Sequence, residues 1–527
     1  MYISDLDLIK AKLTIEGKLN QSEIIKLILR DWSVDEKARF MEVGERYYAG
    51  RHDILNHDFR QSIVYDKIPA EDSNDGKEHE TAQTITNSNN SNLHNIHPFF
   101  QELVNQKIGY VVGKSPTVAV EDDKAFETAI TEITTDEEFP DMLGDWVKEA
   151  SKKGVGWVHP YYDPDGSLHY IVVPANEVIA FYDSEHQRVL EDVVRFYTFD
   201  VVSSGQTVKR YKVEWWTDHD VTYYVQDEQG NYLLDSSYQI NPAPHWWNVT
   251  TVDGAEMNRE AHSWGRVPWV PLYNNTEATS DLGGQDENGQ PCGIKSLIDA
   301  YDMISSATTN DQIDLVALYW IVKGFGGETA REIVKRLRIN KVVNVSGGEQ
   351  GDGVTAQQVT LSVEERCKWL DMLRHDIYHF GMGIDTSDEQ LGNNPSGVAL
   401  KFKYTQLDLK ANPLILKLKK ALKNLFWFLT DDMNRQNGSD YDSSKIVVTV
   451  NKTMIVNDAE TVTMIMQSRG LVPDNILLAH HPLVDDAEQA EKDLEVQQAK
   501  EDARRKQMFG NDDVPPGQNQ PPGGDQS

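Results

Sequence analysis

Apolar residues near the start of the chain fall at helical spacing. Between residues 22 and 48, Ile24, Ile25, Ile28, Leu29 and Trp32 recur every three or four positions, and Gly44 and Gly50 punctuate the next stretch, so helix and then turn are expected. Residues 66–92 are rich in Asn, Ser, Asp and Glu and read as a polar loop. The helical pattern resumes at Pro98 with Phe99, Phe100, Leu103 and Val104. Residues 154–273 have strand chemistry, with Val155, Trp157 and Val158 first and further runs at 170–173, 193–199, 211–216 and 221–225. Turns such as Asp163-Pro164-Asp165-Gly166 separate them, so a sheet-rich domain is predicted.

Beyond Pro291 the period returns to helical. Leu297, Ile298, Tyr301 and Ile304 form a stripe behind a predicted Ser296 cap, and the helix should run to about Gln312. Ser362 and Glu365 read as a capping box for a second helix, whose face of Trp369, Leu370, Leu373, Ile377 and Phe380 stops at Gly381. Residues 381–397 hold four glycines and Pro395, which forbid helix; Asn394-Pro395 suits the start of the next one. That helix carries Leu407, Ala411, Leu414, Leu418, Leu422, Leu425 and Leu429 on one side, with a bend expected at Pro413. A short strand at 445–450 and further helices come after it; 486–507 is charged nearly all round, and the Pro/Gly/Gln-rich 514–527 should be disordered.

Length and charge narrow the picture. A chain of 527 residues, 39% of them hydrophobic, is enough for several packing units. No stretch has the roughly 20 apolar residues of a bilayer span and residues 1–10 do not resemble a signal sequence, so a soluble, intracellular product is expected, with no membrane partner. Cys292 and Cys367 belong to no paired motif, which fits a reducing compartment without requiring or forbidding a disulfide. The net charge of −33, from 51 basic and 84 acidic residues, argues on its own against nucleic acid as a partner, because binders gain affinity by neutralising phosphates.

Candidate chemistry is sparse. Gly109-Tyr-Val-Val-Gly113-Lys114-Ser115 approaches a phosphate-binding loop but has three residues between its glycines where that motif needs four, so a helix end turning into a strand is the favoured reading. His375 and His379 are spaced to chelate a metal, without a placed third ligand. Trp215, Trp216, Trp246, Trp247, Trp264 and Trp269 could stack on bases or sugars, yet in a strand-rich segment they read as core or contact residues. Arg331, Lys335, Arg336, Arg338 and Lys341 form a basic cluster that stands out in so acidic a chain, either as a solvated face or as a docking or DNA-facing site. No nucleophile elbow, dinucleotide fingerprint or metal constellation appears; neither catalysis nor a cofactor is expected.

Several blocks together resemble the portal proteins of tailed bacteriophages, in the family typified by a siphophage that infects Bacillus. They are 47–55 (YYAGRHDIL), 107–114 (KIGYVVGK), 267–275 (VPWVPLYNN) with Ser280-Asp281-Leu282, and 298–302 (IDAYD). Most specific is Ser396-Gly397-Val398-Ala399-Leu400 with Tyr404, then 407–411 (LDLKA), ahead of Phe426-Trp427-Phe428. The resemblance implies an α+β portal fold: a strand-rich wing, a two-helix stem, a small α/β clip, a long bent helix and a helical crown. It divides the chain into 1–293 (N-terminal helices and wing), 294–312 and 362–380 (stem), 313–361 (clip) and 381–396 (tunnel loop). The long helix and a wing strand take 397–456, the crown 457–507 and the tail 508–527.

It also implies a homo-oligomeric ring of about twelve copies at one capsid vertex, assembled in the host bacterial cytoplasm, with double-stranded DNA passing through. Terminase large subunit, adaptor or head-completion proteins, and major capsid and scaffolding proteins are the other implied partners. The tunnel loop would offer Gly381, Gly383, Asp388, Glu389, Gly392, Asn393, Asn394, Pro395 and Ser396 to the channel, the alternative being a surface loop pointing away from the axis. Acidity then becomes an asset, since six to ten phosphate contacts change affinity by about 10³ to 10⁵ over moderate salt changes and a conduit must not grip. The rival readings are another vertex or baseplate component and a nucleotide hydrolase built on 109–115.

Overall fold

Asp35 cuts the N-terminal helical pattern in two. In the computed structural model, helix α1 spans Asp5–Ile15, α2 Gln21–Val34 and α3 Glu36–Tyr48; Asn20 caps α2, and the Asp35 carboxylate accepts from the Lys37 and Ala38 amides to cap α3. The structure describes residues 5–15, 20–68, 79–283, 293–314, 319–323, 353–357, 363–386, 397–453, 458–479 and scattered positions from 481 to 504, less short gaps at 87, 89, 164–165, 184–188, 204 and 253–254. Gly44, expected as punctuation, lies inside α3. A Cβ there would sit 2.1 Å from the Lys152 carbonyl oxygen, so glycine is what lets α3 pack this closely.

The polar loop expected at 66–92 is a correction. Strands β1 (Gln61–Ile68) and β2 (His79–Thr86) pair antiparallel from Gln61↔Thr86 to Ile68↔His79. Within 66–92, residues 66–68 and 79–86 lie in this ladder, where backbone bonds hold polar residues such as Glu80, Thr81 and Gln83 in a strand despite the polar average of the segment. Next come α4 (Phe99–Val112), β3 (Thr117–Val120), α5 (Lys124–Thr135) and α6 (Glu138–Lys153).

The sheet-rich region is as predicted. It holds β4 (Val155–Tyr162), β5 (Leu168–Val173), β6 (Val178–Tyr182), β7 (Leu190–Ser203), β8 (Gln206–Trp216), β9 (Asp220–Gln226), β10 (Tyr232–Leu234), β11 (Ala243–Pro244), β12 (Trp246–Val252), β13 (Ala255–His262) and β14 (Val270–Tyr273). The main sheet runs β10-β9-β8-β7-β6 with β11 on β9, and a second runs β14-β4-β5. One face of the main sheet buries Ile24, Ile25 and Ile28 of α2 against Phe181, Val213 and Trp215. The other closes on Trp157, Trp216 and Trp269 around His159, whose Nδ1 lies 2.7 Å from the Pro268 carbonyl and whose burial pushes it down to about 3, so it stays neutral. Trp215, Trp216, Trp264 and Trp269 are all buried, which is the packing role expected of them.

Helix α7 (Ile294–Asp314) starts two residues ahead of the predicted Ser296 cap; the Ser296 hydroxyl donates to the Gly293 carbonyl and so caps no amide. Its Ser/Thr-rich second half has a specific use. Asp302, Ser306, Asn310 and Asp314, four residues apart, accept from the backbone amides of His97, Asn95, Leu93 and Ser91, two residues apart. Four helical residues advance about 6 Å and two extended ones about 6.8 Å, so one helix face reads an extended segment in near register and replaces a β partner.

Beyond α7, β15 (Tyr319–Lys323) pairs with β16 (Gly353–Gln357), and α8 spans Val363–Phe380, matching the predicted helix to within a residue at its start. Tyr47, Phe100, Leu103, Val104, Ile298 and Ile377 form the core joining α3, α4, α7 and α8. Helix α9 (Gly397–Asn437) runs unbroken through Pro413, which faces solvent, and buries all seven predicted positions from Leu407 to Leu429. Strand β17 (Ile446–Thr449) pairs with β3. Residues 1–386 and 404–453 form one compact unit; 387–403 and 454–527 form a second, with α10 (Asp458–Ser468) and α11 (Asp474–Ala479). No helix among the described residues is long and apolar enough to cross a membrane.

Candidate functional site at the end of helix α8

Helix α8 stops where its glycines allow. The Gly381 amide bonds the Ile377 carbonyl at 2.8 Å, Met382 takes a left-handed φ of 53°, and the Gly383 amide returns to the Tyr378 carbonyl at 2.9 Å. A Cβ on Gly383 would lie 2.1 Å from a Leu103 methyl of α4. Beyond it, Gln106 of α4 holds both backbone groups of Ile384, each at 2.8 Å, Arg374 pairs with Asp385 at 2.8 Å, and Lys410 of α9 donates to the Gly381 carbonyl at 2.9 Å. Residues 381–385 are thus fastened by three helices. Gly383→Ala should overpack this seam and cost about 1–3 kcal/mol, read as a lower urea midpoint, with faster amide exchange at 381–385.

Behind this seam lies a buried ion cluster. Lys107, 1% exposed, donates to the Asn274 side-chain oxygen and to Asp281 at 2.9 Å, Asn274 donates to the other Asp281 oxygen at 2.9 Å, and Lys410 approaches Asp281 at 3.5 Å. Burial lowers Lys107 to about 8 despite Asp281. Burial alone would raise Asp281, but the two lysines more than reverse this and hold it at about 2.

Asp302 of α7 is likewise buried, with His52 Nδ1 at 2.6 Å and His97 Nδ1 at 2.8 Å, and both imidazoles hold it below the usual carboxylate range against the effect of burial. Tyr47 bonds Asp299, Lys295 reaches Asp53 and Asp299 at 2.7 Å each, and Tyr110 bonds Asp408. Polar side chains therefore join the blocks at 47–55 and 298–302 to each other, and separately join those at 107–114, 267–275, 280–282 and 407–411.

The motif at 109–115 is the end of α4 followed by β3. A phosphate-binding loop needs the reverse order, strand and then helix, so that amides of a helix N-terminus face the phosphates. His375 and His379 stack with ring centroids 5.9 Å apart on the exposed side of α8, and His379 meets Gln406. Cys367 is exposed and free. Of the residues singled out from sequence, Gly381 and Gly383 sit at the end of α8 and Pro413 on α9. Asp388, Glu389, Gly392, Asn393, Asn394, Pro395, Ser396, the cluster Arg331, Lys335, Arg336, Arg338 and Lys341, and Cys292, Ser362 and the tail 508–527 lie outside the described residues. Sequence reasoning did not single out Gln106, and it quoted Lys107, Asp281 and Lys410 only within the matched blocks, with no role given to them. Lys107 had a signal: it interrupts the apolar face Leu103, Val104, Tyr110, Val111, where a lysine must be paired to be buried.

Widely separated stretches of the chain are thus held together by buried polar groups next to the end of α8. The sequence matches the family described as "Phage portal protein, SPP1 Gp6-like" over residues 34–507, and the chain belongs to that family. The portal protein of Bacillus phage SPP1 is 31% identical over 450 residues, 85% of this chain and 81% of that protein. The portal protein of Clostridium phage phiCD119 is 30% identical over 412 residues, 75% of this chain and 83% of the relative. Its function is that of a portal, a structural component of a phage capsid.

Proposed function

We propose that the chain is one subunit of a ring of about twelve identical copies enclosing a DNA channel at a single capsid vertex, for genome packaging, retention and ejection. The observation that carries this is the family match across 34–507, which takes in the loop and every element that fastens its base. In this reading α7 and α8 are the stem, 313–361 the clip, 381–396 the loop facing DNA, α9 with its bend at Pro413 the link from channel to wing, and 457–507 the crown. A wall built from chains of charge −33 centres DNA by repulsion, leaving contact to neutral groups such as Asn393, Asn394 and Ser396. The subunit performs no catalytic step and needs no cofactor; ATP turnover belongs to a separate terminase. The test is packaging in vitro: capsids assembled with the chain should protect DNA from nuclease, and capsids lacking it should not.

The basic cluster at 331–341 is assigned to the exposed end of the clip, docking terminase large subunit during packaging and adaptor or head-completion proteins afterwards, because an acidic partner surface would read clustered positive charge. Major capsid and scaffolding proteins would meet the ring elsewhere. Reversing charge at Arg331, Lys335 and Arg338 should leave rings intact and weaken terminase binding; unchanged binding and packaging would remove the docking role.

A further inference from the structure

One stretch of the solvent side of α9 carries an aligned set of apolar and cationic residues. Leu409, Pro413, Leu416, Lys420 and Lys423 are all exposed and are spaced by steps of four, three, four and three residues, which keep a single line along a helix. The line is about 21 Å long at helical rise. Leu409 and Leu416 are 63% and 70% exposed, while Leu407, Leu414 and Leu418 on the inner side are buried. Single exposed leucines are common, but an aligned pair continued by lysines marks a contact face.

Lys417, Lys419, Lys420 and Lys423 have no carboxylate partner among the described residues, in a chain with 84 acidic residues to 51 basic ones. Beside Lys417 and Lys420 opens a cleft of about 840 Å³ walled by Trp157, Trp269 and Phe428. Arg266, on the same cleft, stacks on Trp427 at 3.5 Å. The face thus offers an apolar line, a cationic end and an aromatic recess within one surface.

We propose that this face of α9 and the cleft beside it dock a second copy of this chain, whose carboxylates pair with Lys417, Lys420 and Lys423 and whose apolar side chain enters the cleft. The lysines call for an acidic partner, and a chain of net charge −33 is one. In a closed ring the contact is heterologous, so this face meets a different, acidic surface of the neighbouring copy. Duplex DNA would use the lysines but leave the leucines and the cleft empty. The inference rests on the ring reading and names one of its interfaces.

The test uses full-length protein assembled from equal parts of ¹⁵N-labelled and unlabelled chains, treated with a carbodiimide that joins amines to carboxylates in direct contact. Peptides linking Lys417, Lys420 or Lys423 to an Asp or Glu should include pairs with one labelled and one unlabelled half. Leu416→Ser with Lys420→Glu should raise the concentration for half-assembly about tenfold or more, with circular dichroism unchanged; if that pair fails to fold, Lys420→Gln takes its place with a smaller shift. Rings that form normally from the variant and yield no mixed-label links at these lysines overturn the interface and leave the ring reading standing. Wild-type protein that stays monomeric at every concentration overturns the ring reading instead. Links suppressed by a 30-base-pair duplex in intact rings would reassign the face to DNA and overturn the proposal.

Discussion

Asp281→Asn should destabilise the protein by about 3–5 kcal/mol, more than any other single polar substitution proposed for it. The carboxylate is the only anion paired with Lys107 among the described residues, and Lys410 leans on it from α9. Asparagine keeps the size and removes the charge, leaving an ammonium that is 1% exposed without a counterion. Lys107→Met should cost less, because it takes the buried cation away and leaves Asp281 with Lys410.

The pH dependence comes from linkage. Asp281 titrates at about 2 in the folded chain against an ordinary 3.8, so its stabilisation is complete above about 4 and lost as pH falls through 2. Lys107 is lowered from 10.5 to about 8, so its contribution to stability rises with pH between those values. In Asp281→Asn the acid-side loss attributable to this site should vanish and the rise from Lys107 should begin at lower pH. Urea unfolding at a series of pH values measures both, and a variant within 1 kcal/mol of wild type at pH 7 would show that the cluster is not what ties α4 to α9.

Deleting 387–391 should leave assembly intact and remove most nuclease-protected DNA from particles. Assembly should survive because residues 381–385 are fixed by Gln106, Arg374 and Lys410, and α9 is fixed by its buried leucine face; neither depends on what lies between. DNA retention should suffer because the deletion shortens the segment proposed to reach the genome and draws Asn393, Asn394 and Ser396 back from it. Normal packaging after the deletion would take the loop out of the mechanism, and loss of assembly would make it a packing element.

Much of this architecture was legible where several local signals coincided. Helix α8 was placed to within a residue because a capping pair, an apolar stripe and a terminal glycine all agreed, and α9 because seven small or leucine positions kept one face through Pro413. The β1–β2 hairpin was hidden because backbone pairing holds it, which a polar average does not register. The polar face of α7 was hidden because Asp302, Ser306, Asn310 and Asp314 look like solvent-facing residues until an extended segment lies along them. Likewise Lys107 and Asp281, 174 positions apart, carry no pattern that pairs them; only the fold does.

The ring is the central claim, and counting its subunits tests it most directly. Native mass spectrometry of the purified full-length chain, with negative-stain images down the particle axis, should give a closed assembly of about twelve copies around an open centre. A protein that remains a dispersed monomer at high concentration, or that assembles without a central channel, would contradict it.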